Sequence, residues 1–247
     1  KAIELKSNFA DALINRGLVQ LSKGNKTEAL TDLKNAHKIK PHVKQIWDLV
    51  ARLTIEAEQY LDAISLLIDM IQIDPGYENG FKLIVSCNQI VNDTAIAVSS
   101  FIEVIKVKPN DAFMYLNLGL ALRQLGEIDD ALKIFKKASH INPDTAEAYN
   151  YIGLALTEKG NPGEAIQAYQ KAINIKPNFA EAYNNKGNAL KQKKKLDEAI
   201  EAYNNAISFK IDYSTAYNNL GVALYENGNQ EEAIQAFQKA INIKPDF

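Results

Sequence analysis

Asn15, Asn117, Asn185 and Asn219 are separated by multiples of 34 residues. A primary amide offers both a donor and an acceptor, so it can pair bidentately with a peptide unit whatever that peptide's sequence. Asn is nevertheless a poor helix former, because its side chain competes for backbone hydrogen bonds. The stretch PNFAEAYNNKGNAL, residues 177–190, carries Asn184, Asn185 and Asn188 among helix-forming residues, and their presence needs a reason. Other chemistry is thin. His37, His42 and His140 are scattered and share no helix face. Cys87 is the only cysteine, so an internal disulfide is impossible and zinc lacks ligands. Phosphate-loop, nucleophile-elbow and paired-carboxylate patterns are not found. No catalytic residue, cofactor or metal is expected, and the chain reads as non-enzymatic.

The elements that position these amides are written in the prolines. Pro41, Pro75, Pro109, Pro143, Pro177 and Pro245 lie on one 34-residue comb, with Ile211 at the missing tooth. A fixed period of this length is the signature of a repeat architecture. With the comb proline as repeat position 32, seven repeats cover 10–43, 44–77, 78–111, 112–145, 146–179, 180–213 and 214–247. Residues 1–9 align with 171–179 and are expected to end a preceding helix, with Ser7 at the proline position. Position 20 is alanine throughout, from Ala29 to Ala233. Position 8 is Gly17, Ala51, Val85, Gly119, Gly153, Gly187 and Gly221. Position 24 is Leu33, Leu67, Phe101, Phe135, Tyr169, Tyr203 and Phe237.

Positions 4, 7, 8 and 11 follow the spacing of one helix face, as do 20, 24, 27 and 28. Each repeat therefore predicts two helices, with small residues where their axes approach. Gly24, Gly126, Gly160 and Gly228 suit a left-handed cap after the first helix. Asn25 to Glu28, Asn161 to Glu164 and Asn229 to Glu232 predict a capping box opening the second. Ala51 and Val85 at the helix crossing predict that repeats two and three pack differently from the rest. Cys87, at position 10, predicts a buried small hydrophobe.

This pattern resembles the tetratricopeptide repeat, over the whole chain. The resemblance implies an all-α, right-handed superhelical solenoid of antiparallel helix pairs, one domain over 1–247, with a concave groove for a peptide or protein. Positions 2, 6, 9 and 13 lie opposite the core face of the first helix, and in the resembled family that stripe lines the groove. The stripe nominates Asn15, Leu49, Leu83, Asn117, Leu120, Glu147, Tyr151, Leu154, Glu158, Glu181, Asn185, Asn188, Asn219 and Glu226. Asn184 falls at its rim and reads as solvated. The recurrent position-6 Asn resembles the asparagine ladder of O-linked N-acetylglucosamine transferases, in which side-chain amides hold an extended peptide. Here Leu49, Leu83 and Tyr151 interrupt it.

The stripe contains six carboxylates and one base, Arg52, and its middle is apolar. A basic or mixed apolar-basic peptide is the expected ligand, drawn by Glu147, Glu158, Glu181 and Glu226. The carboxylate-clamp pairing of Lys at position 5 with Asn at position 9 occurs in no repeat, which excludes that mode. Net charge is −2 with a pI near 6.0, which argues against nucleic acid. The run KQKKKL at 191–196 reads as a solvated turn. No apolar run approaches the roughly 20 residues of a membrane span. A lone buried thiol fits a cytoplasmic setting. The chain is expected to be a stretch of a longer protein, acting as an interaction scaffold and prone to end-to-end association through Ile234, Phe237 and Ile241. Alternatives are the substrate-selecting region of a larger enzyme such as a glycosyltransferase, and a self-assembling structural solenoid.

Overall fold

The computed structural model describes residues 2–245, with side chains from Phe9 onward. Every regular element among them is helical: α1 (Ala2–Ser22), α2 (Lys26–Ile39), α3 (Trp47–Glu56), α4 (Tyr60–Ile73), α5 (Glu78–Val91), α6 (Thr94–Val107), α7 (Ala112–Gln124), α8 (Ile128–Ile141), α9 (Ala146–Glu158), α10 (Pro162–Ile175), α11 (Ala180–Gln192), α12 (Leu196–Phe209), α13 (Ser214–Glu226) and α14 (Gln230–Ile243). A single 3-10 turn, Lys44–Ile46, precedes α3. From the third repeat on, each first helix starts at the residue the proline comb predicts. The second helix starts at position 17 in all seven repeats. From α1 to α6 and from α8 to α14, consecutive helices pack on one another, so each run is a series of helix pairs.

Residues 2–9 differ from expectation. They do not close a separate helix but run without a break into α1. Ser7 keeps the backbone N–H that a comb proline lacks, so nothing interrupts the helical ladder there. Phe247, where the seventh repeat was expected to end, lies outside the described residues.

The turns explain the helix boundaries. Gly24, Gly126, Gly160 and Gly228 have φ of +78° to +88°. The N–H of Asn161 bonds the Leu156 carbonyl and that of Gly160 bonds Thr157, which is a Schellman motif. Repeats two and six build the same motif on Glu58 and Lys194, whose φ is also positive. At the other end, the N–H at position 31 bonds the position-27 carbonyl, as from Lys176 to Ala172, and the comb proline then stops the helix. The capping boxes do not form. Asn25, Asn161 and Asn229 precede their helices with ψ of 60° to 70°, and none makes a side-chain cap bond. Among the residues that precede the second helices, only Asp93 adopts the extended backbone that suits a capping side chain (ψ 105°), and its carboxylate accepts from Ala95 and Ile96.

Inside each pair, the position-20 alanines are all buried. The position-24 ring lies directly on the position-8 glycine. A Cβ on Gly153 would stand 2.5 Å from Tyr169 Cε1, and one on Gly187 2.5 Å from Tyr203 Cε1. The chain divides into two compact halves, one through Asn117 and one from Leu118. In the C-terminal half, α9 with α10, α11 with α12, and α13 with α14 share broad interfaces. In the N-terminal half, α1 and α2 do the same, but α3 meets α4, and α5 meets α6, over much thinner contacts. Helix α6 also leans on α4. Ala51 and Val85 occupy the crossing point there, as expected, and Met70 and Val104 replace the usual alanine at position 27.

Candidate functional site

In the C-terminal half, α9, α11 and α13 are the first helices of successive repeats, and each touches the next. Their stripe positions hold the nominated residues from Glu147 to Glu226, while the half-buried Leu120 lies on α7. Tyr151 and Leu154 are half-buried, and the Tyr151 ring lies 5.3 Å from that of Phe135. Burial, helped by the charge of Glu147, pushes the Tyr151 phenol upward.

The asparagines are held in separate hydrogen-bonded pairs. Asn185 Nδ2 donates to Asn150 Oδ1 at 3.1 Å, and Asn219 Nδ2 donates to Asn184 Oδ1 at 3.0 Å. The acceptors are buried, Asn150 at 5% and Asn184 at 3% exposure. Asn184 is therefore not a solvated rim residue. The inter-helix contact turns position 5 inward, so a polar group there must be hydrogen-bonded. Asn188 is held from inside the repeat: Tyr203 Oη, reaching past Gly187, donates to Asn188 Oδ1 at 2.8 Å. The corresponding Tyr169 hydroxyl meets Thr157 at 3.2 Å, and its burial pushes the phenol up to about 12.

The carboxylates are also engaged. Arg123 Nε donates to Glu158 at 2.7 Å, and Lys176 pairs with Glu147 at 3.2 Å. Lys210 lies 3.5 Å from Glu181, and Lys194 lies 3.7 Å from Glu226. Exposed pairs of this kind contribute only about 0–1 kcal/mol each. Their consequence is for charge, since the four acids expected to draw a basic ligand already have cationic partners. Those partners sit at positions 12, 15 and 31, outside the stripe, so a count along the stripe misses them.

In the N-terminal half, Asn15 is exposed and Leu49 and Leu83 are half-buried. Ile90 and Phe113 are 55% and 50% exposed. Asn117 Nδ2 donates to the Phe113 carbonyl of its own helix at 2.7 Å. Asp11 pairs with Lys40 at 2.9 Å and Glu56 with Lys26 at 2.7 Å. Asp48 accepts from Tyr77 and Asn79, which hold its carboxyl below the usual range. Cys87 is fully buried, and burial raises its thiol. The basic run forms the α11–α12 turn, where Lys195 pairs with Glu198. Among the described residues there is no cluster of metal-ligating side chains, and no helix is long and apolar enough to cross a membrane.

Comparison with known families places this architecture. The TPR repeat profile matches residues 119–160, 153–194 and 187–228, and the tetratricopeptide repeat profile matches 214–247. Together they span more than half of the chain. The chain belongs to the tetratricopeptide repeat family. A crystal structure of MamA protein is 31% identical with a TM-score of 0.57, over 66% of this chain and 88% of that one. MamA 41-end from Desulfovibrio magneticus RS-1 is 21% identical with a TM-score of 0.59, over 67% and 93%. YrrB, described as a TPR protein with an unusual peptide-binding site, is 22% identical with a TM-score of 0.56, over 73% and 93%. At these last two identities the likeness speaks to fold alone. No curated protein matches the chain. The tetratricopeptide repeats thus supply a scaffold of the protein-interaction class. The residues that sequence reasoning missed are those that orient its amides: Asn150, Asn184 and the Tyr203 hydroxyl.

Proposed function

We propose that this chain is a protein-recognition scaffold whose α9–α11–α13 face holds an extended peptide segment. Asn185 and Asn219 would pair with peptide units of the ligand backbone. Tyr151 and Leu154 would receive an apolar side chain. The observation that carries the reading is the oriented pair of amides on neighbouring first helices. Each spends one N–H on the preceding repeat, which leaves its carbonyl oxygen and second N–H for a ligand. Membership of an interaction-repeat family and the fold shared with the peptide-binding YrrB support it. Because Glu147, Glu158, Glu181 and Glu226 are paired, apolar and backbone contacts rather than positive charge select the ligand.

A peptide array of random 12-residue sequences tests this. Asn185→Ala and Asn219→Ala should each lower the bound signal across many sequences, and Tyr151→Ala should lower it for peptides with a large apolar residue. The signal should change less than about twofold between 0.05 and 0.5 M salt, because few free charges are available to screen. Binding that the three variants leave unchanged, or that collapses with salt, overturns the proposal.

A further inference from the structure

We infer that the buried Asn150 and Asn184 are positioning residues of this peptide site: they set the orientation of the Asn185 and Asn219 amides. The inference rests on the peptide-binding reading above and goes one layer beneath it.

Position 5 of the first helix has no structural need for Asn. Repeat four carries Leu116 there, 8% exposed, so an apolar side chain satisfies the packing. Asn in its place lowers helix propensity and buries a polar group, a cost that a specific role must offset. Within the chain, Asn at position 5 is followed in the next repeat by Asn at position 6: Asn150 by Asn185, and Asn184 by Asn219. Where position 5 is Ile14, Asp48 or Leu116, the next position 6 is Leu49, Leu83 or Tyr151, none an amide. Asn117 is the internal control. The preceding position 5 is Lys82, and without a buried acceptor the Asn117 amide turns back onto its own helix at Phe113. Asn185 and Asn219 instead point their Nδ2 into the preceding repeat.

This orientation decides what is recognised. With one N–H consumed inward, Oδ1 and the remaining N–H form an adjacent acceptor and donor, which matches the N–H and C=O that a single extended residue presents on one side of its chain. Packed helices stand about 8–10 Å apart, and an extended strand rises about 3.3 Å per residue. Successive amides would therefore grip about every third residue, and a segment of about four residues would engage both.

The test compares wild type, Asn184→Leu, Asn219→Ala and the double variant on the random 12-residue array, together with melting temperature and the side-chain amide NMR signals of Asn219. Leucine is the choice because repeat four carries it at this position. Asn184→Leu should keep a cooperative melt. It should shift the Asn219 amide signals and weaken binding about tenfold, the order expected for loss of one well-placed hydrogen bond. The double variant should bind no worse than Asn219→Ala alone. Asn184→Asp, which retains an acceptor, should keep most of the binding. Asn184→Leu with wild-type binding, or with unshifted Asn219 signals, overturns the positioning role. Wild-type protein that binds no peptide overturns the peptide reading, while the Asn219 signals still decide the orientation. If Asn184→Leu fails to fold, Asn150→Leu read through Asn185 gives the same decision.

Discussion

A methyl group added at Gly153 would meet a closed wall. Its Cβ would lie 2.5 Å from Tyr169 Cε1 and 2.7 Å from both Cδ1 and Cζ. The ring is 1% exposed and its hydroxyl is tied to Thr157, so it has nowhere to retreat. Overpacking of this kind costs about 1–3 kcal/mol, and a rigid buried ring puts Gly153→Ala at the upper end. The better helix propensity of Ala returns about 1 kcal/mol. The net expectation is a loss of about 2 kcal/mol, or a melting temperature lower by about 4–8 °C for a chain of this size.

Gly17→Ala is the matched control. There the nearest atom is Leu33 Cγ at 3.0 Å, on a flexible side chain, so the change should be within about 1 kcal/mol of neutral. Tyr169→Leu added to Gly153→Ala should recover part of the loss, because repeat two already combines Ala51 with Leu67. Urea melts followed by circular dichroism, with amide exchange across α9 and α10, would report both the total and its location. Gly153→Ala equal to or more stable than wild type would refute the argument that the glycine exists to seat the ring.

Three further changes follow from the same structure. His37 is buried at position 28, where repeats five to seven carry isoleucine, and its Nδ1 has no partner. Burial pulls the imidazole below its usual value, with Asp69 a weaker opposing pull. The stabilisation is therefore present above the unfolded pKa near 6.5 and lost as pH falls below it. The difference in melting temperature between His37→Leu and wild type should widen from pH 8 to pH 5 in favour of the variant. Lys194 has φ of +60° where four repeats have glycine, so Lys194→Gly should raise the urea midpoint by the equivalent of about 1 kcal/mol. Asn92→Gly should gain less, since Asn tolerates that region. The buried Asn88–Ser100 hydrogen bond occupies positions that repeats five to seven fill with Leu and Ala, and Asn88 Oδ1 is left unpaired. Asn88→Leu with Ser100→Ala should stabilise the chain, while Ser100→Ala alone should cost about 1–3 kcal/mol, both read by denaturant melts.

The fold was legible because its constraints are local and repeated. A proline ends a helix, a glycine reverses the chain, and an alanine marks a close approach, and each of these acts on its own backbone. The helix starts at Glu78, Ala112, Ala146, Ala180 and Ser214 followed from the comb alone. Where one residue departs from the pattern, the outcome depended on conformation that the pattern does not carry. Ser7 let α1 run through an expected break. The cap asparagines failed because the turn before them holds ψ near 65°, and residue type alone does not report ψ.

The side chains of the site were less legible because their partners lie one repeat away. Asn150 with Asn185, Asn184 with Asn219 and Arg123 with Glu158 are each separated by 35 residues. This is the 34-residue period advanced by one position, the step by which a side chain on one first helix meets the next. Lys159 with Asp129 and Asn227 with Asp197 are separated by 30, which joins the start of a second helix to the end of the following first helix. A single-helix projection treats each stripe as though its neighbours were water. On that view Asn184 is a rim residue and Glu158 a free charge. Offsets of 35 and 30 read along the sequence would have joined both to their partners. The same offsets explain why the amide geometry is set in pairs: Asn185 and Asn219 turn inward where the residue 35 positions earlier accepts their hydrogen, and Asn117, which has Lys82 there, turns back onto its own helix.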